Sequence, residues 1–281
     1  QWRVISPLRF RSGQYSRGDR RGNRALPVTV KISERPSFGP CVELEYGGVR
    51  AVVAPTLGMA LVEFAVDGVD ILDVTRREAF LQYRKGLGPL IFPHFNQAHP
   101  FPKVDLARFS HVSHLLNFGV RDPFQHGVGR YSVWQFEEEN GGITGKIDGN
   151  DLLEGVSLRE LNGSDFSAKV TYSLDSAGLS VGFNVSGEEP VEAGIHFYYD
   201  LVNPSSATIS LSVEEAASSL VLPLDRAYDR VFHPRKDIGT NASYLLRTDR
   251  YELQTTVRVQ GLPDETFDSV TIFSPRDAGF V

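Results

Sequence analysis

Phe166, Ala168, Val170, Tyr172 and Leu174 alternate with Ser167, Lys169, Thr171 and Ser173. After Asp175-Ser176-Ala177-Gly178 the rhythm resumes, with Leu179, Val181, Phe183 and Val185 set against Ser180, Gly182, Asn184 and Ser186. A period of two puts every second side chain on one face of an extended strand. Two such runs joined by a short Asp/Gly turn predict an antiparallel hairpin with one apolar face. That face has to be covered, so the pattern commits the chain to a second layer of structure.

The same reading extends along most of the sequence. Val42 to Tyr46, Arg50 to Ala54 and Ala60 to Val66 read as strands, as do Tyr131 to Phe136 and Ile143 to Ile147, which flank a turn containing Asn140-Gly141. Gly187-Glu188-Glu189-Pro190 turns the chain into a strand carrying His196. Ala207 to Val213, Tyr251 to Val259 and Ser269 to Ser274 complete the set. No long stretch has helical periodicity, and 26 glycines and 16 prolines punctuate the chain. The predicted class is all-β, a large antiparallel β-sandwich, with residues 31–281 as one domain. Gly86 to Gln125 breaks the pattern and is read as one wall of a binding cleft.

Residues 1–30 hold seven arginines and a single acid, Asp19, and are read as a basic arm or leader. The net charge of −6 argues against nucleic acid as a partner, and no apolar run reaches the ~20 residues needed to span a bilayer. Cys41 is the only cysteine, which excludes an internal disulfide and a thiolate-rich metal site and favours a reducing, cytoplasmic setting. Composition leaves the oligomeric state open.

Two histidines carry the chemical interest, because imidazole is the side chain best suited to move protons near neutral pH. His126 lies in Gln125-His126-Gly127-Val128-Gly129-Arg130, where Gly127 permits close approach of a ligand or of another backbone, and Arg130 has a guanidinium fork to offer. His196 lies in Gly194-Ile195-His196-Phe197-Tyr198-Tyr199-Asp200, where the aromatic residues could wall a sugar-sized pocket. Each histidine also has a plain structural reading, the first as a residue at a strand start hydrogen-bonded to a neighbouring loop and the second as a core histidine. His94, His99, His111 and His114 match no metal-ligand spacing and are read as solvated loop residues. Glu137-Glu138-Glu139 reads as a solvated hairpin tip.

Taken in order, several strings resemble the aldose 1-epimerase (galactose mutarotase) family, including its hexose-6-phosphate epimerase branch. They are Gly47 to Pro55 with Gly58 and Asp67-Gly68, then Gly88-Pro89-Leu90-Ile91-Phe92-Pro93-His94-Phe95-Asn96-Gln97, then His126-Gly127 with Arg130 and Trp134, then Gly194 to Leu201, and finally Asp229-Arg230-Val231-Phe232. The similarity spans roughly residues 42–281. It implies an antiparallel supersandwich and interconversion of the α and β anomers of a hexose or hexose phosphate, with no metal or organic cofactor. It casts His196 as the acid at the ring oxygen and His126 as its support, with Asn96, Arg130 and Asp229 binding the sugar. The family's usual arginine after the asparagine is Gln97 here, and its glutamate base is implied a few residues past Val281. The rival reading is a non-catalytic carbohydrate-binding or regulatory protein on the same fold.

Overall fold

The computed structural model describes residues 9–10, 27–95, 104–117, 119–120, 122–213, 219–224, 228–232, 241–258 and 270–274. Three antiparallel sheets organise them. The first is a meander in chain order: Thr29–Arg35, Gly39–Tyr46, Val49–Ala54, Ala60–Val66 and Val69–Asp70. The second runs Gly178–Gly187, Phe166–Asp175, Gly142–Asp148, Gln135–Glu139. The third runs Arg9–Phe10, Glu252–Arg258, Asn241–Arg247, Thr208–Val213, Ser219–Pro223.

The hairpin predicted from alternation is present in full register. Phe166 pairs with Gly187, Val170 with Phe183, Tyr172 with Val181 and Asp175 with Gly178. Phe166, Ala168, Val170, Tyr172 and Leu174 are buried, as are Leu179, Val181, Phe183 and Val185. Paired residues share a face, so the two apolar stripes merge into one surface that packs on the first sheet. The sheets are joined at Tyr172, whose hydroxyl donates to the Met59 carbonyl at 2.7 Å. Close by, a Cβ on Gly145 would meet the Met59 sulfur at 2.6 Å. The fourth strand, Ala60–Val66, is buried on both faces and shows no alternation. One of its outer-face residues, Glu63, is held by Arg50 at 3.0 Å, Arg35 at 3.5 Å and Arg77 at 3.8 Å.

The third sheet docks through tyrosines: Tyr199 Oη and Tyr244 Oη lie 2.9 Å apart, and Tyr251 Oη donates to the Asp200 carbonyl at 2.5 Å. Arg9–Phe10 pairs with the strand Glu252–Arg258. The first full strand begins at Thr29, two residues inside the segment read as a basic arm.

Several expectations are corrected. Short helices occur at Arg77–Tyr83, Ser110–Asn117 and Leu158–Asn162. The second carries both His111 and His114, so these are not loop histidines. It puts Val112 and Leu115 inward, a spacing too short to stand out in the sequence. The strand expected from Tyr131 starts only at Gln135, because Tyr131 to Trp134 form a turn pinned by Trp134 Nε1 donating to the Gly129 carbonyl at 2.8 Å. The acidic run Glu137 to Glu139 is exposed as expected, but it forms part of a strand rather than a tip, with Lys146 and Lys169 as partners. Among the described residues no helix is long and apolar enough to cross a membrane.

Tyr172 tests the joint between the first two sheets. Tyr172→Phe removes a buried donor and should cost ~1–3 kcal/mol. Urea unfolding should show a lower midpoint at unchanged slope. A shift below ~0.3 kcal/mol would mean that the Met59 carbonyl finds another donor at no cost.

Candidate functional site

The site is built on a short antiparallel ladder between two segments a hundred residues apart in sequence. Leu90–Ile91 pairs with Gly194–Ile195, Ile91 facing Gly194 and Leu90 facing Ile195. Hydrogen bonds extend the ladder in both directions: Glu192 N–H donates to the Pro93 carbonyl at 2.8 Å, His196 N–H to Pro89 at 3.0 Å and Tyr198 N–H to Leu87 at 2.8 Å. Residues that send alternate N–H groups to the same partner project their side chains to one face. Glu192, Gly194, His196 and Tyr198 therefore share a face. The His196 and Tyr198 rings stack there with centroids 4.6 Å apart.

His126 reaches this face from a turn locked onto the other strand. Its backbone is left-handed, with φ 67°, and Gly127 follows at φ 94°. A Cβ on Gly127 would lie 2.0 Å from the Phe92 carbonyl oxygen. The glycine therefore admits another backbone, one of the two possibilities that the sequence left open. Phe92 N–H donates to the His126 carbonyl and Gly129 N–H donates to the Phe92 carbonyl, each at 3.0 Å.

The two imidazoles meet edge to face, centroids 5.5 Å apart and planes at 88°. His126 is buried, and its Nδ1 lies 2.9 Å from the Phe95 carbonyl oxygen. A carbonyl can only accept, so Nδ1 carries the hydrogen and, in the neutral ring, Nε2 keeps the lone pair. His196 is partly exposed, while its Nδ1 is buried without a hydrogen-bond partner among the described residues.

Arg130 is 1 % exposed, which limits what it can do. Its Nε donates to the Leu90 carbonyl at 2.8 Å and one terminal nitrogen to the Arg84 carbonyl at 3.3 Å. The other terminal nitrogen, Nη2, is buried with no partner among the described residues. Much of the guanidinium fork is therefore spent on backbone. Burial holds Arg130 at about 10, below its usual value. Burial, then the Arg130 and Lys85 cations, lowers His196 to about 3. Burial, Arg130, His196 and Lys85 lower His126 to about 2, against the opposing bond to Phe95. Both rings are neutral near pH 7.

The other candidates separate. Tyr199 belongs to the core between sheets, and only Tyr198 joins the histidines. Phe95 packs against His126 with ring centroids 4.9 Å apart. His111 stacks on Tyr131 at 4.1 Å and faces the Pro123 carbonyl at 3.1 Å through Nε2. Burial lowers it to about 4. His94 approaches Asp122 at 3.7 Å, with both ring nitrogens buried, so it too is not a solvated loop residue. Among the described residues no three metal-ligating side chains come together. Asn96 and His99 lie outside the described residues. Asp229 sits in the strand Tyr228–Phe232, opposite Phe273, and its side chain lies outside them. Sequence reasoning missed Lys85 and Glu192. The alternation Glu192-Gly194-His196 was the available signal for the second.

Three largely desolvated, neutral histidines make the fold acid-sensitive. Their folded values lie below ~6.5, the value in the unfolded chain, so their contribution is complete above pH ~6.5. It is lost as pH falls toward about 4 for His111, about 3 for His196 and about 2 for His126. Urea unfolding should therefore show declining stability from pH 7.5 to pH 5, where few carboxylates titrate. A level profile would mean that these rings accept protons freely in the folded state.

No protein-family profile matches the sequence, and no curated protein is significantly similar to it. Solved structures do resemble it. One is a galactose mutarotase-like protein from Clostridium acetobutylicum, with TM-score 0.51 and 13 % identity over 89 % of this chain and 96 % of that one. Another is a protein from Synechocystis, with TM-score 0.50 and 15 % identity over 83 % of this chain and 91 % of that one. At such identities the likeness is one of architecture: the chain has the galactose mutarotase-like fold.

Proposed function

We propose that the protein is an aldose 1-epimerase that opens and recloses the ring of a hexose bearing an anionic group, a hexose phosphate above all. The observation that supports this reading is the pair of imidazoles 5.5 Å apart beside two cations, on a galactose mutarotase-like fold. Ring opening needs a group that takes the C1 hydroxyl proton and a group that protonates the ring oxygen. It then needs room for rotation about C1–C2 before the ring closes on the other face.

His196 is the acid in this reading, and its neutrality near pH 7 is the main constraint. Arg130 and Lys85 both oppose its protonation. A phosphate or carboxylate on the sugar would offset both charges at once. The unpartnered Arg130 Nη2 is a donor suited to such an oxygen. Binding an anionic sugar would therefore raise the His196 pKa, so that the acid forms only when substrate is present. His126, with its hydrogen on Nδ1, offers Nε2 as an acceptor for a sugar hydroxyl or for a protonated His196. Asn96 and Asp229 remain proposed sugar-binding residues.

Polarimetry or a coupled dehydrogenase assay should show faster anomer equilibration for hexose 6-phosphates than for free glucose or galactose. The expected gap in kcat/KM is ~10-fold or more, the scale of a single charge-assisted contact. Lys85→Met should narrow that gap mainly through KM. His196→Ala should lower the rate by ~10²-fold or more, the usual cost of losing a general acid. No rate above buffer for any of these sugars would remove the enzyme reading and leave a carbohydrate-binding protein.

A further inference from the structure

We propose that Glu192 is a positioning residue for His126: it grips the chain at Pro93 and Phe95, and the Phe95 carbonyl then fixes which imidazole nitrogen keeps its hydrogen. The consequence for rate rests on the epimerase reading above; the consequence for the imidazole does not.

Glu192 holds the segment at two points. Its N–H donates to the Pro93 carbonyl at 2.8 Å, and its Oε2 accepts from Phe95 N–H at 2.5 Å. A carboxylate on a backbone N–H makes a charge-assisted bond, stronger than a neutral one. The two bonds bracket His94 and fasten Phe95 to the end of the ladder. Phe95 in turn meets His126 twice. Its carbonyl accepts from His126 Nδ1 at 2.9 Å, and its ring packs on the imidazole with centroids 4.9 Å apart and planes at 39°.

His126 needs this hold because its backbone does not choose the tautomer. A φ of 67° is uncommon for a residue with a Cβ and persists where the surroundings fix it. Here Phe92 N–H donates to the His126 carbonyl at 3.0 Å and Gly127 N–H to the Phe124 carbonyl at 2.8 Å. Those bonds set where Cβ points and leave the ring undecided. Which ring nitrogen carries the hydrogen is set by the hydrogen bond that the other side of the ring makes. Among the described residues that bond is the one to Phe95. It leaves Nε2 with its lone pair, beside the His196 ring 5.5 Å away. The nearby Asp122 is engaged elsewhere: Oδ1 accepts from Phe124 N–H at 2.8 Å and Oδ2 lies 3.7 Å from His94 Nε2. Glu192 is exposed, so it can be replaced without opening the core.

Two variants separate the hold from the charge. Glu192→Gln keeps an oxygen that accepts from Phe95 N–H, and Glu192→Ala keeps none. Nitrogen NMR of the full-length, histidine-labelled protein at pH 7.5 reads the tautomer directly, with His126→Gln identifying the signal. Wild type and E192Q should show a protonated Nδ1 and an unprotonated Nε2. In E192A the two shifts should draw together, as the ring exchanges between tautomers. With glucose 6-phosphate, E192A should lose ~5-fold in kcat at little change in KM, the scale of one hydrogen bond, and E192Q should recover most of it. Wild-type nitrogen shifts in E192A, or an E192Q as altered as E192A in both readouts, would overturn the role of Glu192 and leave the epimerase reading intact. Altered shifts confined to E192A, in a protein that turns over no hexose or hexose phosphate, would support the role of Glu192 and overturn the epimerase reading alone.

Discussion

Everything at the site depends on one short antiparallel ladder. Residues 87–93 and 192–198 are joined by alternate backbone hydrogen bonds from Glu192, His196 and Tyr198, with Gly194 and Ile195 paired between them. Closing a loop of about a hundred residues costs chain entropy that grows only slowly with length, so the contact is affordable once the flanking sheets form. The ladder aligns Glu192, His196 and Tyr198 on one face. Its other strand holds the His126 turn through both the N–H and the carbonyl of Phe92. Without it, the histidines would belong to unconnected loops.

Electrostatics at this ladder run against ordinary stability. Arg130 is buried with one donor unsatisfied among the described residues, and its charge acts on two desolvated imidazoles. A buried cation with no acidic partner among the described residues is costly unless its donors are met, and backbone carbonyls meet only part of this one. Glu63 gives the contrast: there Arg35, Arg50 and Arg77 converge on a carboxylate, and charge is balanced within the fold. An imbalance held in place by neighbouring structure is where ligand chemistry is to be sought, because an incoming anion recovers what folding gave up.

How much of this was legible in the sequence follows from the range of each signal. Strand alternation is local, and Phe166 to Val185 gave both the hairpin and its buried face. His126 and His196 were singled out from their neighbours, and the structure places their rings in contact. Arg130 was visible as a cation but not as a buried one, because its acceptors come from Arg84 and Leu90, far away in sequence. Lys85 had no signal, since its effect on the histidines arises only after the ladder forms. The helix Ser110–Asn117 was missed because two turns with two inward apolar residues leave almost no periodic trace. His111 was consequently read as solvated when it is stacked on Tyr131.

Placing His196 and Glu192 on one strand face gives a geometry that loops do not. Strand pitch fixes the spacing between the two groups, and cross-strand bonds at Pro93 and Pro89 hold both ends. Any motion of the ladder moves Glu192 and His196 together, so their separation is conserved even where the surrounding loops shift. Gly194 completes the arrangement by leaving open the one position on that face where a side chain would stand between them.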